Sequence, residues 1–419
     1  MKNIWIVNYY SPPPEYTSNP RHLEFAHHLT EAGYDVTIFN AGFLRDKKID
    51  LVPDGQRYLT RQYGEYKFVH IKVKHYEGNG IDRMLSIFQF AFRLYEYRKH
   101  FTKPNIILHN IHAPFDYPVY WCAKKFKAKY IAEAWDLWPD GFVRFGLISP
   151  KNPLVPMAYA VEQKMYENAD RIIFSFAGGV DYLKERKWDK ANGGKIDLSK
   201  VCYINNGVNI DEFEENKKKY VIDDKDLKDT ELFKVVYLGS VKLANNLKRL
   251  IDAAALLKQY SRFRFLIYGD GSDREYLKQY CKENSITNVI FKENSIPFQY
   301  VPYVVSQSDL NIMNYEKNFG IYGISSGKFF MYLAAGKPVL CNIKISYCEI
   351  EKHNLGIAKD LETPQEYADA ILKLGNLNID DYNAMCHRVK EIAKEYDYKI
   401  LSGKLLSVLN ILRTQMASV

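Results

Sequence analysis

The 419 residues are 47% hydrophobic and 26% charged, which excludes a disordered chain and exceeds what one ordinary core holds, so two domains are expected. A net charge of +8 suits an anionic partner such as a nucleotide, a phospholipid surface or a nucleic acid. The six cysteines form no Cys-x-x-Cys pair, which excludes a zinc knuckle and fits reduced, buried thiols better than a disulfide framework.

The N-terminal "NIWIVNYY" is too short, and too soon followed by prolines, to be a signal peptide. No apolar run reaches the length that crosses a bilayer. A cytoplasmic protein is expected, with access to the inner face of the cell membrane.

Short apolar runs alternate with stretches of helical period, as in parallel sheets covered by helices on both faces. The predicted strands of the first half are 3–10, 35–41, 68–73, 105–110, 128–134, 171–176 and 201–208. "PRHLEFAHHLTEAG" is a predicted helix between the first two. The pattern restarts with strands at 233–239, 263–271, 288–293, 310–315 and 338–343. Between the two series, "DEFEENKKKYVIDDKDLKDTE" is charged and aperiodic and reads as an interdomain linker. The fold class is therefore α/β, two doubly wound domains in succession, with ligands expected at the carboxyl ends of the strands in a cleft between them.

Several motifs fall at such strand ends. After the first strand a Pro-rich loop leads to Asn19-Pro20-Arg21, where proline pre-sets a helix and Asn19 and Arg21 could receive an anion or sugar hydroxyls. "AEAWDLWPDGFVRFG" gathers Glu133, Asp136 and Asp140 beside two tryptophans, a composition suited to carbohydrate recognition or acid–base work. A packed loop whose aspartate caps a turn explains the same residues. In "YLGSVKLANNLKRLIDAA", Gly239 and Ser240 end a strand and Lys242 and Lys248 follow, a candidate phosphate contact or merely solvated lysines. Gly269 and Gly271 in "YGDG" allow close backbone approach to a ligand or a tight turn, but lack the third glycine of the dinucleotide fingerprint. In "GISSGKFFMYLAAGKPVL", Ser325, Ser326 and Gly327 precede a helix that begins with Lys328. Free amides, the helix dipole and the lysine charge together suit a phosphate or diphosphate, and a serine cap with a solvated lysine fits as well.

In this order the motifs resemble those of retaining glycosyltransferases of group 1, also called family 4, over nearly the whole chain. "INNGVNIDEF" is similar to the family's N-G-V-D-x-x-x-F, and "YGDGSDREYL", "NVIF" and "YLAAGKPVL" match further segments. "DLWPD" and "SSGK" look like the capsule and O-antigen branch. The resemblance implies the GT-B architecture: an acceptor-binding Rossmann-like domain over 1–207, a nucleotide-sugar-binding one over 208–396, and a C-terminal helix, 397–419, returning to the first.

It also implies site residues. Lys328, Ser325, Ser326, Gly327, Lys242, Gly239 and Ser240 would hold the donor diphosphate, with Gly269, Gly271, Glu316 and Lys292 near the nucleotide or its sugar. Asn19 and Arg21 would face the acceptor, and Asp136, with Glu133 behind it, would contact a sugar. The family's pair of glutamates is missing, because alignment on "AAGKP" places Gly323 and Met331 at those positions. A methionine cannot replace the hydrogen bonds of a carboxylate, so the ribose would fall to another group such as Glu316 or to backbone atoms.

The implied reaction transfers a hexose-type sugar from a nucleoside diphosphate to a glycan or lipid-linked acceptor with retention, and it requires no metal or other cofactor. Asp224-Lys225-Asp226 matches the D-x-D of metal-dependent transferases, but by chance in a charged segment. The stretch 82–103, apolar on one side and basic around it, would rest on an anionic membrane or pack on the sheet as an ordinary surface helix. A nucleotide-sugar 2-epimerase and a non-catalytic nucleotide-sugar or glycan-binding protein are the alternatives. His109 and His112 are the histidines placed after a strand that could serve the former. Dispersed positive charge argues against nucleic-acid binding.

Overall fold

The computed structural model describes residues 2–17, 19–78, 80–242, 245–317 and 320–417. The chain forms two compact units, Met1–Asn205 together with Leu401–Val419, and Asn206–Ile400. The last helix, Tyr398–Ala417, thus belongs for most of its length to the first unit.

In the first unit the strands are β1 (Lys2–Val7), β2 (Tyr34–Ala41), β3 (Phe43–Leu44), β4 (Ile49–Asp50), β5 (Tyr58–Tyr63), β6 (Tyr66–Ile71), β7 (Ile106–Asn110), β8 (Lys129–Ala134), β9 (Arg171–Phe174) and β10 (Val201–Tyr203). Eight of them make one sheet in the order β10-β9-β8-β7-β1-β2-β6-β5, and β3 and β4 pair separately. Every pairing in the large sheet is parallel except that of β5 with β6. Helices cover both faces, which is why β1, β7 and β8 read as nearly unbroken apolar runs. The chain leaves β1 towards β2 and later returns to β1's other side with β7. The crevice at the carboxyl ends of β1 and β7 is therefore the switch point where ligands settle in such sheets.

The second unit contains β11 (Phe233–Leu238), β12 (Phe263–Tyr268), β13 (Val289–Phe291), β14 (Leu310–Met313), β15 (Val339–Cys341) and β16 (Gly356–Ala358), all parallel, in the order β13-β12-β11-β14-β15-β16. Its switch point lies between β11 and β14.

The expected strands are all present, most of them shorter than predicted, because the residues just past their carboxyl ends continue the run but lie outside the paired strand. The expected linker is corrected. Residues 210–219 and 225–228 are helices of the second unit, capped by Asn209 and Asp224 and each anchored by one buried residue, Phe213 and Leu227. A single apolar anchor per helix leaves no periodicity to read. The antiparallel edge strand β5 was not expected either, because half of its residues face solvent.

Candidate functional site

At the switch point of the second unit, β11 ends in Tyr237-Leu238-Gly239 and β14 is followed by Asn314-Tyr315-Glu316. The helix Gly327–Ala335 begins over the same place, with Ser326 as its N-cap. Lys328 lies between the two strand ends, its Nζ 5.0 Å from the centre of the Tyr237 ring and 5.1 Å from that of Tyr315. A Cβ on Gly239 would lie 3.1 Å from that Nζ. Among the described residues Lys328 makes no ion pair or hydrogen bond, and burial pushes its pKa down to about 8. A half-buried lysine whose ammonium lies against two aromatic rings, beside the first-turn amides of a helix, is a site for an anion.

The sequence motifs expected to hold a diphosphate thus converge, although their members do different work. Ser325 Oγ accepts from the Asn206 amide at 3.0 Å, and its carbonyl accepts from Asn206 Nδ2 at 2.8 Å, which ties the turn to the start of the unit. The Ser240 carbonyl is held by Tyr237 Oη at 2.8 Å and by Asn245 Nδ2 at 2.8 Å. Lys242 is exposed next to residues outside the description. Lys248 is occupied, donating to Asp252 at 2.9 Å and to Tyr280 at 3.1 Å.

Lys292, Gly269 and Gly271 are corrected at the nucleotide. Lys292 is bound by Asp224 at 2.7 Å and Asp226 at 2.6 Å, so both carboxylates of the D-x-D and the lysine are consumed in one local ion-pair network. Gly269 and Gly271 are explained by chain crossing rather than by a ligand: Cβ atoms there would lie 1.8 Å from the Gly239 oxygen and 2.1 Å from the Val241 oxygen. Met331 belongs to a buried cluster with Phe330, Met313 and Val339, so no ribose-binding acid could stand at this position without entering the core. Glu316 is half-buried after β14, with no ion pair among the described residues.

In the first unit, Arg21 and Glu133 are corrected together. Both are wholly buried. Arg21 donates from Nε and Nη2 to Glu133 Oε1 at 2.9 and 2.8 Å and from Nη2 to the Ile204 carbonyl at 2.8 Å. The other oxygen of Glu133 meets His22 Nε2 at 2.7 Å and accepts from Trp135 Nε1 at 2.8 Å. Burial alone would raise this carboxyl's pKa, but the Arg21 guanidinium and His22 outweigh it and hold it at about 2. A sealed, permanently charged carboxylate is no acid–base catalyst, and Arg21 is no anion receptor. Together they lock the first helix to β8 and to the residues after β10. Asn19 stays local, its side-chain oxygen accepting from the Arg21 amide at 3.3 Å. Asp140 likewise is a buried ion-pair partner of Arg144 and Arg186.

Asp136 stands apart. It remains open to solvent after β8, with no hydrogen bond or ion pair among the described residues. The protein crowded around it raises its pKa, an effect that His112 and Arg83 partly offset. His112 follows β7, its Nδ1 3.3 Å from Asp116 Oδ2. That same oxygen lies 3.1 Å from His109 Nε2, and the Asp116 carboxyl, buried, is kept well below the usual range by the two histidines. The His112 ring is flanked by Tyr10 and Trp138, with ring centres 5.1 and 5.4 Å away. Arg83 donates from Nε to Tyr10 Oη at 2.6 Å and packs over the Trp138 ring.

Sequence reasoning missed Asp116, Tyr10 and Arg83 as members of this group. The His112–Asp116 spacing of four residues was the readable signal, whereas Tyr10 and Arg83 come from segments whose meeting depends on the strand order.

Residues 215–396, all within the second unit, match the family model of the glycosyl transferases group 1. A Bacillus subtilis protein named as the teichuronic acid biosynthesis glycosyltransferase TuaH is 26% identical over 256 residues. The match covers 60% of this chain and spans 59% of the length of that relative. Among solved structures, sucrose-phosphate synthase from Thermosynechococcus elongatus superposes over 100% of both chains with a TM-score of 0.71 at 16% identity. Trehalose 6-phosphate synthase from Burkholderia multivorans does so over 99% of both chains with a TM-score of 0.73 at 12% identity. WaaG, a glycosyltransferase involved in lipopolysaccharide biosynthesis, reaches 0.66 at 13% identity over 96% of this chain and 98% of its own. The fold is therefore the two-Rossmann-domain GT-B architecture, and residues 215–396 are similar to the group 1 glycosyl transferases.

Proposed function

We propose that the protein is a retaining glycosyltransferase that moves a hexose-type sugar from a nucleoside-diphosphate sugar to a glycan or lipid-linked acceptor in bacterial surface polysaccharide synthesis. One observation carries the reading: the ammonium of Lys328 has no counter-ion among the described residues and stands at the switch point of the second unit, beside Gly239 and a helix start. Charge grows on the leaving diphosphate as the glycosidic bond breaks, and a fixed cation with helix amides stabilises that charge without reorganising. Asp136 and His112 take sugar hydroxyls as hydrogen-bond partners, and Asp116 orients the His112 ring. No protein nucleophile and no metal is assigned. The names of the relatives support the biological setting, and the solved Anabaena HepE complex with UDP and glucose supports a nucleotide-sugar donor.

The helix Ile81–Tyr97 gives the proposed acceptor a setting. Ile87, Phe90, Ala91 and Leu94 are buried on one face, while Ile81, Leu85, Phe88 and Phe92 are 45% to 73% exposed on the other. Exposed Lys99, Lys103, Lys124 and Lys125 follow on this helix's extension and on the neighbouring helix with exposed Trp121. An apolar stripe with lysines around it is complementary to an anionic bilayer, on which the protein would rest as a peripheral enzyme at the inner face of the membrane. Among the described residues no helix is long and apolar enough to cross a membrane.

Calorimetric titration with UDP, GDP, ADP and their sugar conjugates tests the donor reading. Binding of one diphosphate that Lys328→Ala weakens is expected, and nucleotide release that depends on added acceptor and falls in Asp136→Asn would establish transfer. Binding without release under any acceptor would instead favour a non-catalytic binding protein, an outcome that the absence of the acid pair at 323 and 331 keeps open. A changed sugar configuration on the intact donor would favour an epimerase. Sedimentation with anionic and neutral vesicles tests the membrane reading, which fails if Phe88→Asp and the unaltered protein sediment alike.

A further inference from the structure

We propose that His27, His28 and Glu31, at the end of the helix Arg21–Glu31, form a surface site for a zinc ion, braced by Glu65 from the turn between β5 and β6. His27 Nε2 lies 3.5 Å from one Glu31 oxygen, and His28 Nδ1 lies 2.9 Å from the other. One donor atom from each of the three residues falls within 4.8 Å of the others. Two imidazoles and a carboxylate, completed by water, make the donor set of a four-coordinate zinc site, and nitrogen donors favour zinc over magnesium or calcium.

The position of Glu65 adds a separate observation. Its carboxylate meets His27 Nδ1 at 2.9 Å, on the side of the ring away from Glu31. A carboxylate on the far nitrogen fixes the ring's orientation and tautomer so that the other nitrogen faces the metal. As surface ion pairs alone these contacts would be worth little, about 1 kcal/mol or less each. Their convergence on one point is what a metal would use, with the ion taking the place of the direct contacts between Glu31 and the two rings.

The site is remote from the proposed chemistry. The helix starts beside the carboxyl end of β1 and runs back, so its last turn approaches Tyr34, which pairs with Lys2 at the amino-terminal ends of the strands. A zinc ion there would tie the helix end to the β5–β6 turn through Glu65 and stabilise the first unit, without entering the reaction.

Calorimetric titration of the full chain with zinc, paired with thermal melting, tests this. A saturable site is expected in the unaltered protein, with a rise in melting temperature. His27→Ala and His28→Ala should each weaken it at least tenfold and abolish the thermal shift, and Glu65→Gln should weaken it roughly tenfold through the lost brace. All three side chains touch solvent, so the variants should fold. Absence of saturable binding, or equal affinity in the unaltered protein and both histidine variants, would overturn the proposal and place any zinc on the cysteines or other histidines.

Discussion

The ammonium of Lys328 occupies the space that a side chain on Gly239 would need, since a Cβ there would lie 3.1 Å from Nζ and equally close to Tyr237 Oη. The end of β11 is thus closed on this side by a cation and a phenol. The cation is partly desolvated, with its pKa lowered to about 8.

That value makes nucleotide binding depend on pH. The protonated form attracts the diphosphate, so affinity should be greatest below about 8 and fall as pH rises through it. Between about pH 7 and about pH 9 the expected loss is roughly tenfold, because one pH unit above the pKa leaves about a tenth of the lysines charged. Titrations of the best-bound nucleoside diphosphate across this range should show the slope in the unaltered protein and a flat profile in Lys328→Ala. A parallel slope in the variant would assign the titration to another group.

The glycines of the second unit separate packing from ligand approach. Gly269→Ala would drive a Cβ to 1.8 Å from a backbone oxygen of Gly239, which cannot swing aside as a side chain would. A loss on the order of 3 kcal/mol is expected, read as a lower melting temperature even without nucleotide. Gly327→Ala has nothing within 4 Å of its new Cβ and should leave stability within about 0.5 kcal/mol. Equal melting temperatures for the two variants would refute the chain-crossing explanation.

How far the sequence speaks depends on whether a residue's partner is near it along the chain. The strands were legible because burial on both faces writes them as apolar runs, and Gly239 and Lys328 were each legible as a phosphate contact, one at a strand end and the other at a helix start. Arg21 and Glu133 misled because a charge near a strand end looks the same whether it awaits a ligand or a partner 112 residues away. Lys292 misled in the same way, its counter-ions lying 66 and 68 residues back in a segment that looked like a linker. Asp136 and His112 were legible as residues following strands but their grouping was not, since Tyr10, Arg83 and His112 meet only after the sheet places β1 beside β7.

Breaking the Arg21–Glu133 pair should be costly. Arg21→Met leaves a buried carboxylate with only His22 and Trp135, and a loss of about 3 to 5 kcal/mol is expected. Adding Glu133→Gln removes the stranded charge, so the double variant should be more stable than Arg21→Met alone. Denaturant melts of the unaltered protein, both single variants and the double variant decide it, and simple additivity would mean that the two side chains are not coupled. Because the folded pKa of Glu133 is lowered to about 2 from 4.5, its contribution is present above 4.5 and lost as pH falls towards 2.

Glu162 acts in the opposite direction. It is wholly buried in the helix Leu154–Asn168, and burial pushes its pKa from 4.5 up to about 8, against a hydrogen bond from Tyr182 Oη at 2.6 Å. The folded protein therefore keeps a proton that the unfolded chain releases, and stability falls as pH rises between the two values. The contribution is complete below about 4.5 and gone above about 8, a span on the order of a few kcal/mol. Glu162→Gln presents a neutral side chain of the same shape at every pH, so its stability should fall less between about pH 5 and about pH 8. Melting both proteins across that range, away from the acid limb where Glu133 titrates, isolates the effect. Curves that stay parallel would show that Glu162 does not hold its proton in the folded state.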